Sequence, residues 1–416
     1  MSDAAERQRY TVISSDGHAG APMELYKGYL ESSLHDEYEA WRAEFQNPFG
    51  DLVDTESRDY KRNFDSSIRQ SDIEADGIAG EILFPNTIPP FFNGSPFFGA
   101  PDPKDARELE LRWAGIRAHN RWLVDFCSEV PGRRAGIAQI LLDDVDTAVA
   151  ELQWVREQGL MGGVLLPNPN ADSSVAQLHA PVYEPLWTEC ESLGVPVNTH
   201  GGGGGPSLGA YPSTPVMMFL EFGWYAQRPL VRLLFSGVFE RHPRLKFVMT
   251  ETGNSWVPDL LEHLDWFCHQ MRTARPNSVE AHFGGPTIGE LSLKPSEYWA
   301  RQCYLGSSFM GPKDCALRYK TGLDRVMWGA DYPHAEGTHP YTMEALRYTF
   351  AGVDPTEVAM MLGSNCAAAY GFDVDALDAV AAEIGPRVDE VAQPFDPSQI
   401  PQDSTSMVFF REPLPA

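Results

Sequence analysis

Val326-Met-Trp-Gly-Ala-Asp-Tyr-Pro-His334 reads as a short buried strand, Val326 to Trp328, that runs into a small-residue turn and delivers one carboxylate, Asp331. Three earlier stretches have the same form. Thr11-Val-Ile-Ser-Ser-Asp-Gly-His18 ends in a carboxylate and an imidazole, and Pro196-Val-Asn-Thr-His200 ends in an imidazole followed by five glycines. Leu245-Lys-Phe-Val-Met-Thr-Glu251 ends in another carboxylate. Four apolar strands, each ending in a side chain able to bind a metal, predict one site assembled from distant sequence.

Four further apolar runs lie between these: Gly80 to Pro85, Ala135 to Leu142, Gly162 to Pro167 and Cys303 to Gly306. Helical spacing is expected over 106–129, where Leu109, Trp113, Ile116 and Leu123 share a face, and over 145–158, 183–193, 217–239, 256–273, 312–319, 343–350 and 355–362. Continuous apolar runs suit strands covered on both faces of a parallel sheet. Eight βα units predict an α/β fold, a (β/α)8 TIM-like barrel with long βα-loop insertions and an extended C-terminal arm. A doubly wound open sheet is the rival. The barrel is preferred because the polar candidates fall at strand C-terminal ends, where such barrels do their chemistry.

One domain over 1–416 is expected, with a barrel core at 11–372. Residues 373–416 read as a C-terminal helix and a proline-rich arm lying on the barrel, on a neighbouring subunit, or as a disordered tail. Residues 1–10 are polar and expected to fray. Residues 23–76, with Tyr26, Trp41, Phe49 and Phe64, read as an insertion over the mouth of the site, or else packed outside the barrel. Residues 88–103, containing Ile88-Pro-Pro-Phe-Phe and Phe97-Phe-Gly-Ala-Pro, read as a second loop near the pocket, and 274–300 as a further insertion.

The 416 residues carry 32 basic and 58 acidic side chains, a net charge of −26, which argues against nucleic acid and anionic membrane surfaces as partners. Hydrophobic residues make up 43% of the chain, enough for a large core. No apolar run reaches membrane-spanning length and the N-terminus does not read as a signal peptide, so a cytoplasmic location is expected. The six cysteines are scattered without a C-x-x-C and read as buried thiols.

Two imidazoles and two carboxylates suit one divalent ion, Zn2+ first, with Mn2+ or Fe2+ also compatible. Asp16 and His18, spaced i and i+2, point to one face of an extended strand end, and His200 and Asp331 complete the set. Asp331 is read as a metal or base group rather than a helix N-cap, and Asp16 as a ligand rather than a turn residue. Glu251 divides evenly between a group at the site and a buried structural carboxylate. His334, just past the eighth strand, and Arg69, before the second, are candidates for substrate contact. For each, an ordinary loop or surface role is the alternative.

Asp-x-His after strand one, His after strand five and Asp after strand eight resemble the amidohydrolase superfamily, in the branch containing aminocarboxymuconate-semialdehyde decarboxylase and its hydrolase relatives. Phe239-Glu-Arg-His-Pro-Arg-Leu-Lys-Phe, Trp328-Gly-Ala-Asp-Tyr-Pro and Leu362-Gly-Ser-Asn-Cys-Ala-Ala-Ala-Tyr-Gly extend the likeness over roughly 10–372. The resemblance implies a distorted barrel, one divalent metal, a metal-activated water and often a dimer. Many members have His-x-His where this chain has Asp16-x-His18. Decarboxylase-like members place a His in the segment Thr250-Glu-Thr-Gly253, where this chain has Glu251. Strand four ends Leu165-Leu-Pro-Asn168, without the lysine of two-metal relatives, so a mononuclear site is expected.

The first expectation is therefore a metal-dependent hydrolase of a small aromatic or apolar carbonyl substrate, with Asp331 as base and Glu251 orienting water or substrate. The alternative is a metal-dependent nonoxidative decarboxylase of an aromatic or unsaturated acid, with Glu251 or His334 supplying a proton to carbon. A non-catalytic binding barrel is the third reading. A small-molecule substrate and a homodimer or higher homo-oligomer are the expected partners.

Overall fold

A computed structural model describes residues 8–47, 57–94, 96, 101–170, 173–206, 208–209 and 211–410. The eight expected strands all form. They are β1 (Val12–Ser14, resumed at His18–Ala19), β2 (Ile78–Pro85), β3 (Arg134–Gly136 and Ala138–Gln139), β4 (Val164–Leu165), β5 (Val197–His200), β6 (Phe247–Thr250), β7 (Cys303–Ser308) and β8 (Val326–Gly329). Each pairs in parallel with the next, from Val12 opposite Ile78 through to Val326 opposite Leu305. Between the two parts of β3, Ile137 switches partners. Its N–H donates to Leu83 on β2, while that of Ala138 donates to Gly163 beside β4.

The ring closes between β8 and β1. Ser15 N–H donates to the Trp328 carbonyl at 2.9 Å, Asp331 N–H to that of Asp16 at 2.9 Å, and His18 N–H to that of Tyr332 at 2.7 Å. Gly329 permits this seam, since a Cβ there would lie 2.7 Å from Cβ of Asp16. Every residue of β2 except Pro85 is buried, as a strand lined by side chains inside and helices outside requires.

The helices follow the expected spacing with two breaks. The expected 312–319 helix is split into Pro312–Ala316 and Arg318–Thr321. In place of a single helix over 217–239 there are three: Thr214–Ala226, Arg228–Phe235 and Val238–Arg241. Pro229 has no N–H to continue the first helix, and Gly237 at φ 77° turns the chain before the third. Strand β7 runs two residues past its expected end, to Ser308.

The 23–76 insertion folds into short helices, Met23–Tyr26, His35–Glu44, Arg58–Lys61 and Ser66–Ala75, and lines the mouth of the barrel through Met23, Phe45, Tyr60 and Asn63. In the loop after β2, Thr87 and Ile88 face the cleft, but Phe91 and Phe92 are buried in the main core. Phe49 and the stretch 97–100 lie outside the described residues. The N-terminus departs from expectation at Tyr10, which is buried where its backbone N–H meets the carbonyl of Pro386.

The C-terminal arm lies on its own barrel. It bridges Arg9 at Arg387, and its last element among the described residues is the helix Met407–Phe410. The six cysteines are buried and unpaired. Among the described residues no helix is long and apolar enough to cross a membrane.

Candidate metal centre

Asp16, His18, His200 and Asp331 converge at the C-terminal ends of β1, β5 and β8. His18 Nε2 lies 3.3 Å from Asp16 Oδ1 and 3.2 Å from Asp331 Oδ1, and His200 Nε2 lies 3.5 Å from Asp16 Oδ1. Candidate ligand atoms of Asp16, His18 and His200 fall within 4.8 Å of one another, as do those of His18, Asp331 and His334. The local sequence explains the convergence. Each donor lies at or just past the C-terminal end of a buried strand, where the sites of such barrels open.

Backbone strain marks two of these ends. Asp331 has φ 57° and Glu251 φ 54°, both in the left-handed region that non-glycine residues seldom occupy. Gly201 lets β5 and β6 approach there, because a Cβ would lie 2.4 Å from the carbonyl oxygen of Glu251.

Asp16 and Asp331 are both 0% exposed, and among the described residues their ion-pair partners are imidazoles. A buried carboxylate pair without lysine or arginine demands a positive charge. Burial alone pushes both carboxyls up, but the imidazoles outweigh it. His18 and His200 hold Asp16, and His334 and His18 hold Asp331, below the ordinary carboxylate range. Burial pushes His18 and His200 down, and the surrounding carboxylates more than reverse this, so both are raised. The imidazoles thus take up protons where a cation would neutralise the cluster.

Asp16 Oδ1, His18 Nε2 and Asp331 Oδ2 are buried atoms that form no hydrogen bond. Oxygen and nitrogen donors left in this way, with two carboxylates and two imidazoles, fit a divalent ion.

Glu251 sits 3.3 Å from His200 Nδ1, with a quarter of its side chain open to the cleft. Burial, reinforced by the charges of Asp331 and Asp16 and opposed by His200, raises its carboxyl to about 8. His334 Nδ1 contacts Asp331 Oδ1 at 2.9 Å, its Nε2 contacts Asn86 Oδ1 at 2.9 Å, and its ring lies over His18 at 4.1 Å between centroids. Burial lowers its affinity for a proton, but Asp331 raises it to about 10. Both nitrogens of His334 are then donors.

Arg69 meets neither expectation, surface or substrate. It is 0% exposed beneath the site, where Nε and Nη2 grip the two Glu81 oxygens at 2.8 and 2.7 Å and Nη1 donates to the His18 carbonyl at 2.7 Å. It therefore fixes the backbone that carries His18. Two site residues escaped the sequence reading. Ser308, at the end of β7, donates its hydroxyl to Asp16 Oδ2, and Asn86, just past β2, holds His334. Their strand-end positions were the available signal, but a lone serine or asparagine there carries little.

The cleft above these groups has a volume of about 1190 Å3 and is lined by aromatic rings, among them Tyr60, Phe84 and Phe309, and by polar side chains, among them Asp59, Arg62 and Glu336. Phe84 packs its ring 4.7 Å from that of His200.

The family model described as Amidohydrolase matches residues 86–372. A decarboxylase, orsB, of Emericella nidulans is 28% identical over 219 residues, covering 49% of this chain and 59% of that protein. A gamma-resorcylate decarboxylase of Rhodococcus jostii is 26% identical over 249 residues, covering 57% of this chain and 70% of that protein. Among solved structures, the amidohydrolase map2389c of Mycobacterium avium subsp. paratuberculosis superposes with a TM-score of 0.62 at 18% identity, covering 87% of this chain and 99% of its own. A 5-carboxyvanillate decarboxylase of Novosphingobium aromaticivorans, complexed with manganese and a nitrobenzoic acid, gives a TM-score of 0.62 at 19% identity over 88% and 97%. These likenesses establish the barrel fold.

Proposed function

The chain belongs to the amidohydrolase family, and from that membership we propose that it is a divalent-metal-dependent nonoxidative decarboxylase of a hydroxylated aromatic acid. The observation that carries this reading is a buried, cation-demanding cluster of Asp16, His18, His200 and Asp331 at the floor of an aromatic cleft. The names of the curated relatives, both decarboxylases, support the choice of reaction. They move decarboxylation ahead of hydrolysis, which the Glu251 position had placed first. Manganese in the 5-carboxyvanillate decarboxylase makes Mn2+ the first ion to test, ahead of Zn2+.

Asp16, His18, His200 and Asp331 would hold the ion, which when bound would supply Lewis-acid stabilisation of negative charge on the substrate. Loss of CO2 from an aromatic ring requires a proton at the carbon that bears the carboxylate. The C–C bond then breaks, its electron pair restores the ring, and CO2 leaves. Glu251 is suited to give that proton, since burial raises its carboxyl above the ordinary carboxylate range and a quarter of its side chain opens to the cleft. His334 is a poorer donor because both N–H groups are committed to Asp331 and Asn86. Its role is to orient Asp331. The rings of Phe84 and Phe309 line the cleft, where they would contact a planar substrate.

Hydrolysis is the second reading, favoured by the ionised Asp331, which is a competent base for water. Two isotopes separate the reactions. Mn2+-loaded protein incubated with 2,6-dihydroxybenzoate in D2O is expected to release CO2 and place deuterium on the vacated carbon. Incorporation of 18O from labelled water into the product of an ester, amide or lactone, with no CO2 from any hydroxybenzoate, would establish hydrolysis instead.

A further inference from the structure

Two stretches outside the segment matched by the family model line the cleft, and one of them is the end of the C-terminal arm. From the barrel base at Arg387 the arm follows the helix Thr342–Phe350. Arg347 holds the Pro394 carbonyl, and Tyr341 donates to Asp403 Oδ1 at 2.7 Å. At the cleft, Thr405 donates its hydroxyl to the Ala335 carbonyl, and the Met407 N–H donates to the Glu336 carbonyl at 3.0 Å. These carbonyls belong to the turn that carries His334. Val408 and Phe409 are 0% and 7% exposed and pack with Phe309 and Ala345. The arm end is therefore anchored on both sides of Met407, and Thr405 and Met407 face the same cleft as His18, His200 and Glu251.

We propose that the arm segment carrying Thr405 and Met407 is a specificity wall of the substrate site, and that the substrate is a hydroxyaryl acid bearing a bulky apolar substituent. This rests on the decarboxylase reading for the acid group. The substituent rests on the cleft alone. At about 1190 Å3 the cleft exceeds the roughly 300–1,000 Å3 usual for small-ligand sites, and a one-ring acid leaves most of it empty. The candidate metal ligands lie at the floor, and polar side chains such as Asp59, Arg62 and Glu336 also line the cleft. Beside the arm, Met407 and Phe309 offer an apolar surface, with Val408 and Phe409 packed on Phe309, and this surface favours an alkyl chain or second ring.

The test uses full-length, Mn2+-loaded protein and two product analogues, resorcinol and 5-pentylresorcinol, with binding measured by calorimetry. The parent is expected to bind the pentyl compound at least about tenfold more tightly. Met407→Trp, which fills the space, is expected to lower affinity for the pentyl compound at least about tenfold more than affinity for resorcinol. Thr405→Trp provides the same readout if the first variant fails to fold, and Met407→Leu is expected to keep the preference. Equal affinity for the two phenols in the parent, or equal losses for both in the tryptophan variants, would overturn the proposal. Turnover of the corresponding benzoic acids is scored separately. Preserved binding selectivity without CO2 release would refute the decarboxylase reading and leave the arm as the wall of a site for another reaction.

Discussion

Glu251 combines a left-handed backbone, a position at the end of β6 and a carboxyl raised to about 8. If it protonates the ring carbon, Glu251→Gln keeps the shape and the neutral charge but has no acidic proton. We expect kcat to fall by about 10^2–10^4-fold with metal content unchanged. Wild-type turnover in this variant, measured as CO2 release, would remove Glu251 from the proton path. Arg69 makes the second residue-scale prediction. Arg69→Met strands Glu81, 3% exposed, with only Arg134 at 3.5 Å, and breaking a buried pair in this way costs about 3–5 kcal/mol. Urea unfolding that shifts by less than about 1 kcal/mol would show that Arg134 suffices. The sequence made the four strand-end donors legible because a polar residue after an apolar run has few structural uses. The destination of Arg69 was hidden, although Glu81 inside an apolar strand was an unused sign of a buried cation partner.

Elements were legible where burial sets the pattern. All eight strands stand where their apolar runs predicted them. Two expected helices are split: 312–319 after Ala316, and 217–239 at Pro229, whose missing N–H overrode a continuous apolar pattern. Helix Ala106–Ser128 carries His119 into the core, where its Nδ1 meets the hydroxyl of Tyr26 at 2.9 Å. Burial pushes this imidazole down to about 3. Between pH 6.5 and about 3 the unfolded chain binds a proton that the folded chain refuses, so His119 subtracts stability as the pH falls. His119→Gln keeps a partner for Tyr26 and has no such proton. From pH 7 to pH 4.5 the unfolding free energy of the variant should therefore improve relative to that of the parent. A gap independent of pH in denaturant titrations would mean that His119 is protonated in the fold.

At the scale of the molecule, the net charge is strongly acidic, but helix Thr214–Ala226 carries one charge, Glu221, and exposes Val216, Phe219, Leu220 and Trp224 by 51–68%. A second copy of a chain with net charge −26 meets least repulsion at this face. We expect a homo-oligomer in light scattering that Leu220→Glu shifts toward monomer, and a monomeric parent would contradict this. The arm was the part least legible in advance. Its composition is compatible with a free tail, and the burial of Val408 and Phe409 against Phe309 and Ala345, with the hydrogen bonds of Thr405 and Met407 to Ala335 and Glu336, brings it to the cleft.

The central claim is that four residues from three distant strands hold one divalent ion, and elemental analysis of protein purified without added metal, then reconstituted with Mn2+, tests it most directly. The parent should retain about one equivalent, as a mononuclear site requires, while folded Asp331→Ala and His200→Ala should retain almost none. Full metal content in both variants, or a folded parent that binds no divalent ion after reconstitution, would contradict the assignment. The carboxylate and imidazole cluster would then need another source of its positive charge.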